Sequence, residues 1–227
     1  MRRARLVKIF AAGTGGLLIF AAGCGGPEAN RNTTVRQSES LHGQGQAGGC
    51  NASDKKDAFV LDPATKVGSA VTLFDNAKLP PSIQVDTNRH TLLATRIGVG
   101  VQVYDHDNTN GTWKVREPQA NLYDGETGVQ HGVHFAGPFW TDIDGSRVKG
   151  KASGEADAPT DSQRNVKWLR LDAVENFGSN NDVLRRVTFI QRVLTQGGQP
   201  PSGRVPMEGC DTVSVPYTAL YVFWGQQ

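Results

Sequence analysis

The sequence predicts an all-β protein, a single antiparallel β-sandwich or barrel-like domain with few or no helices. Three observations lead there: runs of period-two alternation, tight-turn dipeptides between them, and a near absence of helical periodicity. In "TLLATRIGVGVQVYD" (91–105), Leu93, Ile97, Val99, Val101 and Val103 fall on one parity, and Arg96, Gly98, Gly100, Gln102 and Tyr104 on the other. That alternation marks a half-buried strand. Asn110-Gly111 follows, a pair that favours a two-residue hairpin because both positions tolerate positive φ. Asp124-Gly125 and Asp144-Gly145 give two further turns between short alternating runs. "VKWLRLDAV", "RRVTFIQRVLT" and "VSVPYTALYVFW" read as later strands. Pro216 has no N–H to give to a ladder, so the last strand is expected to start at an edge or bulge. Its remainder is apolar on both faces and is expected to end inside the core. Only 63–79, "PATKVGSAVTLFDNAKL", has helical character, and Gly68 with the β-branched Val67, Val71 and Thr72 weakens it. Many short strands with Gly, Asp and Asn turns make one sandwich or barrel.

The amino terminus carries different information. Arg2, Arg3, Arg5 and Lys8 precede an uncharged apolar run from Ile9 to Ala22. Such a run spans only about 21 Å as a helix, short of a bilayer core. This is the pattern of a signal peptide over 1–23. "AAGC" (21–24) matches a bacterial lipobox, with Ala21 where leucine is usual, and predicts cleavage before Cys24 and acylation of that cysteine. Residues 24–56 are rich in Gly, Ser, Asn and Gln and too poor in large apolar groups to fold. They read as a tether of about 30 Å average reach. The folded β-domain is expected over 57–227. The expected location is therefore the bacterial cell membrane, facing outside the cytoplasm, with the lipid anchor as the only membrane contact.

Charge and cysteine content narrow the partners. The chain has 24 basic and 22 acidic residues. Removing the four signal cations leaves 20 against 22, a net charge of −2. No segment pairs a basic run with aromatics, so a nucleic-acid partner is excluded. With Cys24 lipidated, Cys50 and Cys210 remain as an even pair in an oxidising compartment, and a disulfide between them is expected. It would close a loop worth up to ~5 kcal/mol in the chain-entropy picture.

Few residues suggest chemistry. "GVQHGVHFAGPFW" (128–140) holds His131 and His134 three apart. In a regular strand residues three apart face opposite ways, and only a bulge at Gly132 would turn both rings together. The stretch is expected to be a strand entering a turn, with no metal site. "DHDNTNG" (105–111) resembles a calcium loop at Asp105, Asp107 and Thr109. Its glycine is misplaced, and Arg116 stands where a glutamate belongs, so a polar hairpin loop is expected. "GVGVQV" lies within a strand and makes no phosphate loop. Trp113, Trp140, Trp168 and Trp224 are read as packing rather than a sugar platform. No cofactor is implied, and no catalytic set is complete.

Several segments together carry a resemblance over about 79–224: "GVQVYDHD", "GTWKV", "ANLYD", "GVHFAGPFW", "SRVKGK", "VKWLRLDAV", "RVTFIQRVLTQGGQPP" and "VSVPYTALYVFW". They resemble domain-of-unknown-function family 3455, found in exported bacterial and secreted fungal proteins. Some fungal members are labelled malate dehydrogenase. This sequence has no dinucleotide fingerprint and no alternating strand–helix pattern, so a NAD-dependent dehydrogenase is excluded. The resemblance offers His134, Gly137, Pro138, Trp140, Trp168, Gln191, Arg192, Gly197, Gly198, Pro216 and Tyr217 as shared core or surface positions. Among them His134, Trp140, Gln191 and Arg192 form the candidate ligand surface. The expectation is a cell-envelope binding or structural module for a polysaccharide, small molecule or protein. The alternative is a secreted hydrolase using His131 or His134 with Asp142 or Asp144.

Overall fold

A computed structural model of the chain describes residues 74–202 and 211–227, with the backbone of Cys50 and Asn51. The signal segment, Cys24, the tether, most of 63–79 and Cys210 lie outside the described residues.

Eight long strands follow one another: β2 (His90–Asp107), β3 (Thr112–Asp124), β4 (Gln130–Phe135), β5 (Phe139–Asp142), β6 (Arg147–Ala156), β7 (Trp168–Phe177), β8 (Val187–Gly197) and β9 (Thr212–Gln226). Each pairs antiparallel with the next, and β9 also pairs with β2. The sheet therefore closes into an eight-stranded up-and-down barrel, which leaves the main wall without free edges. A two-residue strand, β1 (Cys50–Asn51), adds parallel to β9 at Val213 and Ser214. No α-helix occurs among the described residues; three 3-10 turns cover Asn76–Lys78, Pro81–Ile83 and Leu184–Arg186.

The turn chemistry read from sequence sets the connections. Gly111 and Gly145 take positive φ in the turns after β2 and β5, and Gly197 and Gly198 do so where β8 ends. Asp107 accepts from the backbone N–H of Thr109 and Asn110 and binds Lys114, so "DHDNTNG" is a self-capped hairpin loop. Pro216 lies within β9 opposite Val101, one residue before the last β8 pairing at Tyr217, so the missing donor falls where β8 stops. The end of the barrel where β2 begins is here called the near end. The connections after β2, β4, β6 and β8 gather at the far end.

The barrel has two cores because its wall is apolar on both sides in places. Inside lie Leu122, Trp140, Val148, Leu171, Ile190, Tyr217, Tyr221 and Phe223. Outside, residues 79–85 cover Ile97, Trp168, Val193, Leu220, Val222 and Trp224. In β2 the glycine-rich parity is the one that faces inward, since Gly98 pairs with Ala219 and Gly100 with Tyr217. The Ile97 and Val99 side packs under the cover. Steric need explains this orientation. A Cβ on Gly98 would stand 2.6 Å from Tyr221 Cε2. An eight-stranded interior is only side-chain wide, so large rings need small residues opposite them.

Candidate functional site

The four residues of the predicted ligand surface do not share a face. Gln191 points outward into the covered core and is fully buried. Its amide donates to Asn76 Oδ1 (2.9 Å) and to the Ile83 carbonyl (2.7 Å), and its carbonyl accepts from Trp224 Nε1 (2.7 Å). It pins residues 76–83 to the barrel, and both its amide protons are already used. Its neighbour Arg192 pairs with Leu169 and Tyr221 on the inward parity. Adjacent strand residues face opposite ways, and a barrel wall turns that into inside against outside.

His134, Trp140 and Arg192 do belong together. The His134 and Trp140 rings stack at 4.2 Å and 10°, and Tyr221 meets the two edge-on at 5.1 and 5.5 Å. Tyr221 Oη lies 3.1 Å from Tyr217 Oη. Gly198 allows Tyr217 and Gln102 to close up, since a Cβ there would come within 2.9 Å of Tyr217 Cβ and 3.3 Å of Gln102 Cγ. A polar line thus runs through the interior towards the far end. Trp140 Nε1 is buried without a hydrogen-bond partner, and the Gln102 amide lies against the Tyr217 hydroxyl. His134 Nδ1 donates to the Phe139 carbonyl (2.8 Å), leaving Nε2 as a lone pair. Burial drives the His134 pKa down to about 3, with a further push from the Arg192 charge, so the ring is neutral. Burial lifts Tyr217 well above the usual tyrosine range, and Tyr104 to about 12. Arg192 is half-buried and donates only to the Lys167 carbonyl, at 2.9 and 3.2 Å, with no carboxylate partner among the described residues. Gln102, Tyr104 and Tyr221 were not in the predicted set. Gln102 and Tyr104 share a parity with the inward glycines of β2, and Tyr221 with Ala219 of β9, but sequence did not show that these parities were the interior.

A second cluster lies towards the near end, in residues that sequence reasoning treated separately. The β3–β4 register skips His131, which makes it the extra residue of a bulge beside Gly132. The expectation of opposite-facing histidines is therefore corrected: the bulge turns His131 to the same side as Asp142, whose strand neighbour Trp140 faces inward. His131 Nδ1 lies 2.8 Å from Asp142 Oδ1. Asp142 Oδ2 accepts from Arg96 Nη2 (2.7 Å), and Arg96 Nη1 reaches Asp124 Oδ2 (3.0 Å). The Asp144 carboxyl is lowered mainly by its bonds to Ser146 and Val183, against burial, and also by the Arg96 charge. It accepts from Ser146 Oγ and from the backbone N–H groups of Ser146 and Val183, and among the described residues it bonds to neither histidine.

An open depression of about 320 Å³ crosses the wall at Val99, Gly100, Gln119, Ala120, Asn121 and Val133. It holds no titratable group and suggests no chemistry.

Residues 87–225 match the family described as "Protein of unknown function (DUF3455)". The chain belongs to this family. The match spans β2 to β9 and so takes in both clusters. No curated protein and no solved structure matches the chain.

Proposed function

We propose that the chain is a lipid-anchored, extracytoplasmic binding module whose barrel takes a small anionic molecule at its far end. The observation that carries this reading is the buried, unpartnered N–H donor of Trp140 on the same polar line as Arg192. Buried donors left unmatched cost roughly 1–3 kcal/mol each, and a bound acceptor would recover that. Arg192 supplies a charge that no described carboxylate neutralises. An interior of side-chain width suits a small molecule better than a polysaccharide or a protein surface. The anchoring part of the proposal rests on the signal-like segment and "AAGC" at 21–24.

Native mass spectrometry of protein taken from the envelope tests the binding. The expected result is a mass excess that disappears on unfolding and is missing from Arg192→Ala. Equal occupancy of the two proteins would overturn the assignment to this end.

A hydrolase is the second reading, favoured by the 2.8 Å contact of His131 with Asp142. It narrows to His131, because His134 is buried, neutral and tied to Phe139.

A further inference from the structure

We propose that His131, oriented by Asp142, is a general base that activates water towards uncharged or cationic acyl compounds at the near end of the barrel. This rests on the second reading above and is independent of ligand binding at Arg192.

The geometry is that of a held imidazole. A carboxylate oxygen can only accept, so the proton between His131 and Asp142 sits on Nδ1. That fixes the tautomer and leaves the Nε2 lone pair unprotonated in the neutral ring. No hydrogen bond occupies Nε2 among the described residues, and the His131 side chain is 33% exposed. Arg96 Nη2 also lies 3.2 Å from Nδ1, but that nitrogen has no lone pair left to accept from it. Asp142 is itself held on both oxygens: Oδ2 by Arg96, and Oδ1 by His131 and by the Ile143 backbone N–H at 2.8 Å. Its side chain is 3% exposed, so it cannot drift into solvent. A buried carboxylate that locks one imidazole tautomer, with the opposite nitrogen open to solvent, is the arrangement a general base needs.

The bulge is the second observation. A regular strand would have turned His131 to the outer wall, away from Asp142. The extra residue in β4 re-aims it, a recurring use of bulges beside reactive groups.

Charge defines the substrate class. One guanidinium, Arg96, faces the carboxylates of Asp124, Asp142 and Asp144. The cluster is net negative, so it repels anions and tolerates neutral or cationic substrates. Val129 and Ile143, both well exposed, flank His131 and Asp142 in sequence and offer apolar surface for an acyl group.

In the step itself, water passes a proton to His131 Nε2 as its oxygen bonds to the acyl carbon. The tetrahedral intermediate then breaks its bond to the leaving alcohol oxygen. The imidazolium returns the proton to that oxygen, giving acid and alcohol. Asp142 touches no reacting atom and is a positioning residue.

The test uses the purified chain with p-nitrophenyl acetate as a neutral ester and a succinate monoester of p-nitrophenol as an anionic one. Turnover of the neutral ester above an equal concentration of free imidazole is expected, with the anionic ester slower. His131→Ala should lose that turnover at least tenfold. Asp142→Asn should lower it by a similar factor. Because that change also disturbs Arg96, the tautomer of His131 is read independently by 15N NMR, which should show Nδ1–H in the wild type. His106→Ala should leave turnover unchanged. Failure of the binding reading would appear only in the mass-spectrometric experiment. Turnover no better than imidazole, a folded His131→Ala protein with full activity, or an Nε2–H tautomer would each overturn the proposal.

Discussion

Two buried side chains show how much a single position decides. His134 is neutral because burial outweighs its bond to Phe139. Its pKa falls from 6.5 to about 3, so the unfolded chain binds a proton that the folded one refuses. Stability is therefore expected to decline as pH falls below about 6.5, continuing to about 3, with a slope of at most ~1.4 kcal/mol per pH unit from this group. Urea midpoints across that range should fall less steeply in His134→Phe than in the wild type. Parallel curves would show that another group sets the acid limb. Gln191 was predicted on a ligand surface and instead joins three partners under the cover segment. Gln191→Leu keeps the volume but strands the Trp224 N–H and the Ile83 carbonyl. A loss of about 2–4 kcal/mol is expected by chemical denaturation. A change under 1 kcal/mol would mean that water replaces all three bonds.

At the scale of elements, the wall of β2 and β9 is fitted by pairing small residues with rings. Gly98 sits where a methyl group would press on the fully buried Tyr221. Gly98→Ala is expected to cost about 1–3 kcal/mol by overpacking. Tyr221→Leu in the same chain should recover part of that loss, which a double-mutant cycle would detect as coupling. Additive effects would reject the packing explanation. Strands and turns were largely legible in the sequence, because period-two alternation and Asn-Gly or Asp-Gly pairs are local signals. The bulge at His131 was not, because a bulge is defined by its partner strand. The sequence named the one device that could turn both rings, but not whether the chain used it.

Across the whole molecule, the barrel closes where β9 returns to β2 and β8, and β1 joins β9 beyond the end of β8. Cys50 pairs by backbone with Val213, three positions beyond Cys210 in sequence. The Cys50–Cys210 disulfide stays a proposal, since Cys210 lies outside the described residues. Peptide mapping without reductant should recover the two peptides joined, and reduction should lower Tm. Two free thiols in envelope-derived protein would reject the bridge. For the anchor, the mature amino terminus is expected to be an acylated Cys24 by mass spectrometry, and Cys24→Ser should release the chain from the membrane fraction. A wild-type chain that starts elsewhere without lipid would remove the anchor from the proposed function.

The sequence by itself determined the all-β class, most of the strands, the glycine turns and the family resemblance, all of which rest on short-range patterns or on ordered motifs. Closure of the barrel was decided only by tertiary structure, because the β9–β2 pairing joins residues more than a hundred positions apart. Closure then decided which parity of each strand was interior. It separated Gln191 from Arg192 across the wall, although they are neighbours in the chain. It also brought Arg96, Asp124, His131 and Asp142 from four strands into one hydrogen-bonded cluster. Alternation shows that a strand has two faces, but which face is inside depends on where the sheet meets itself.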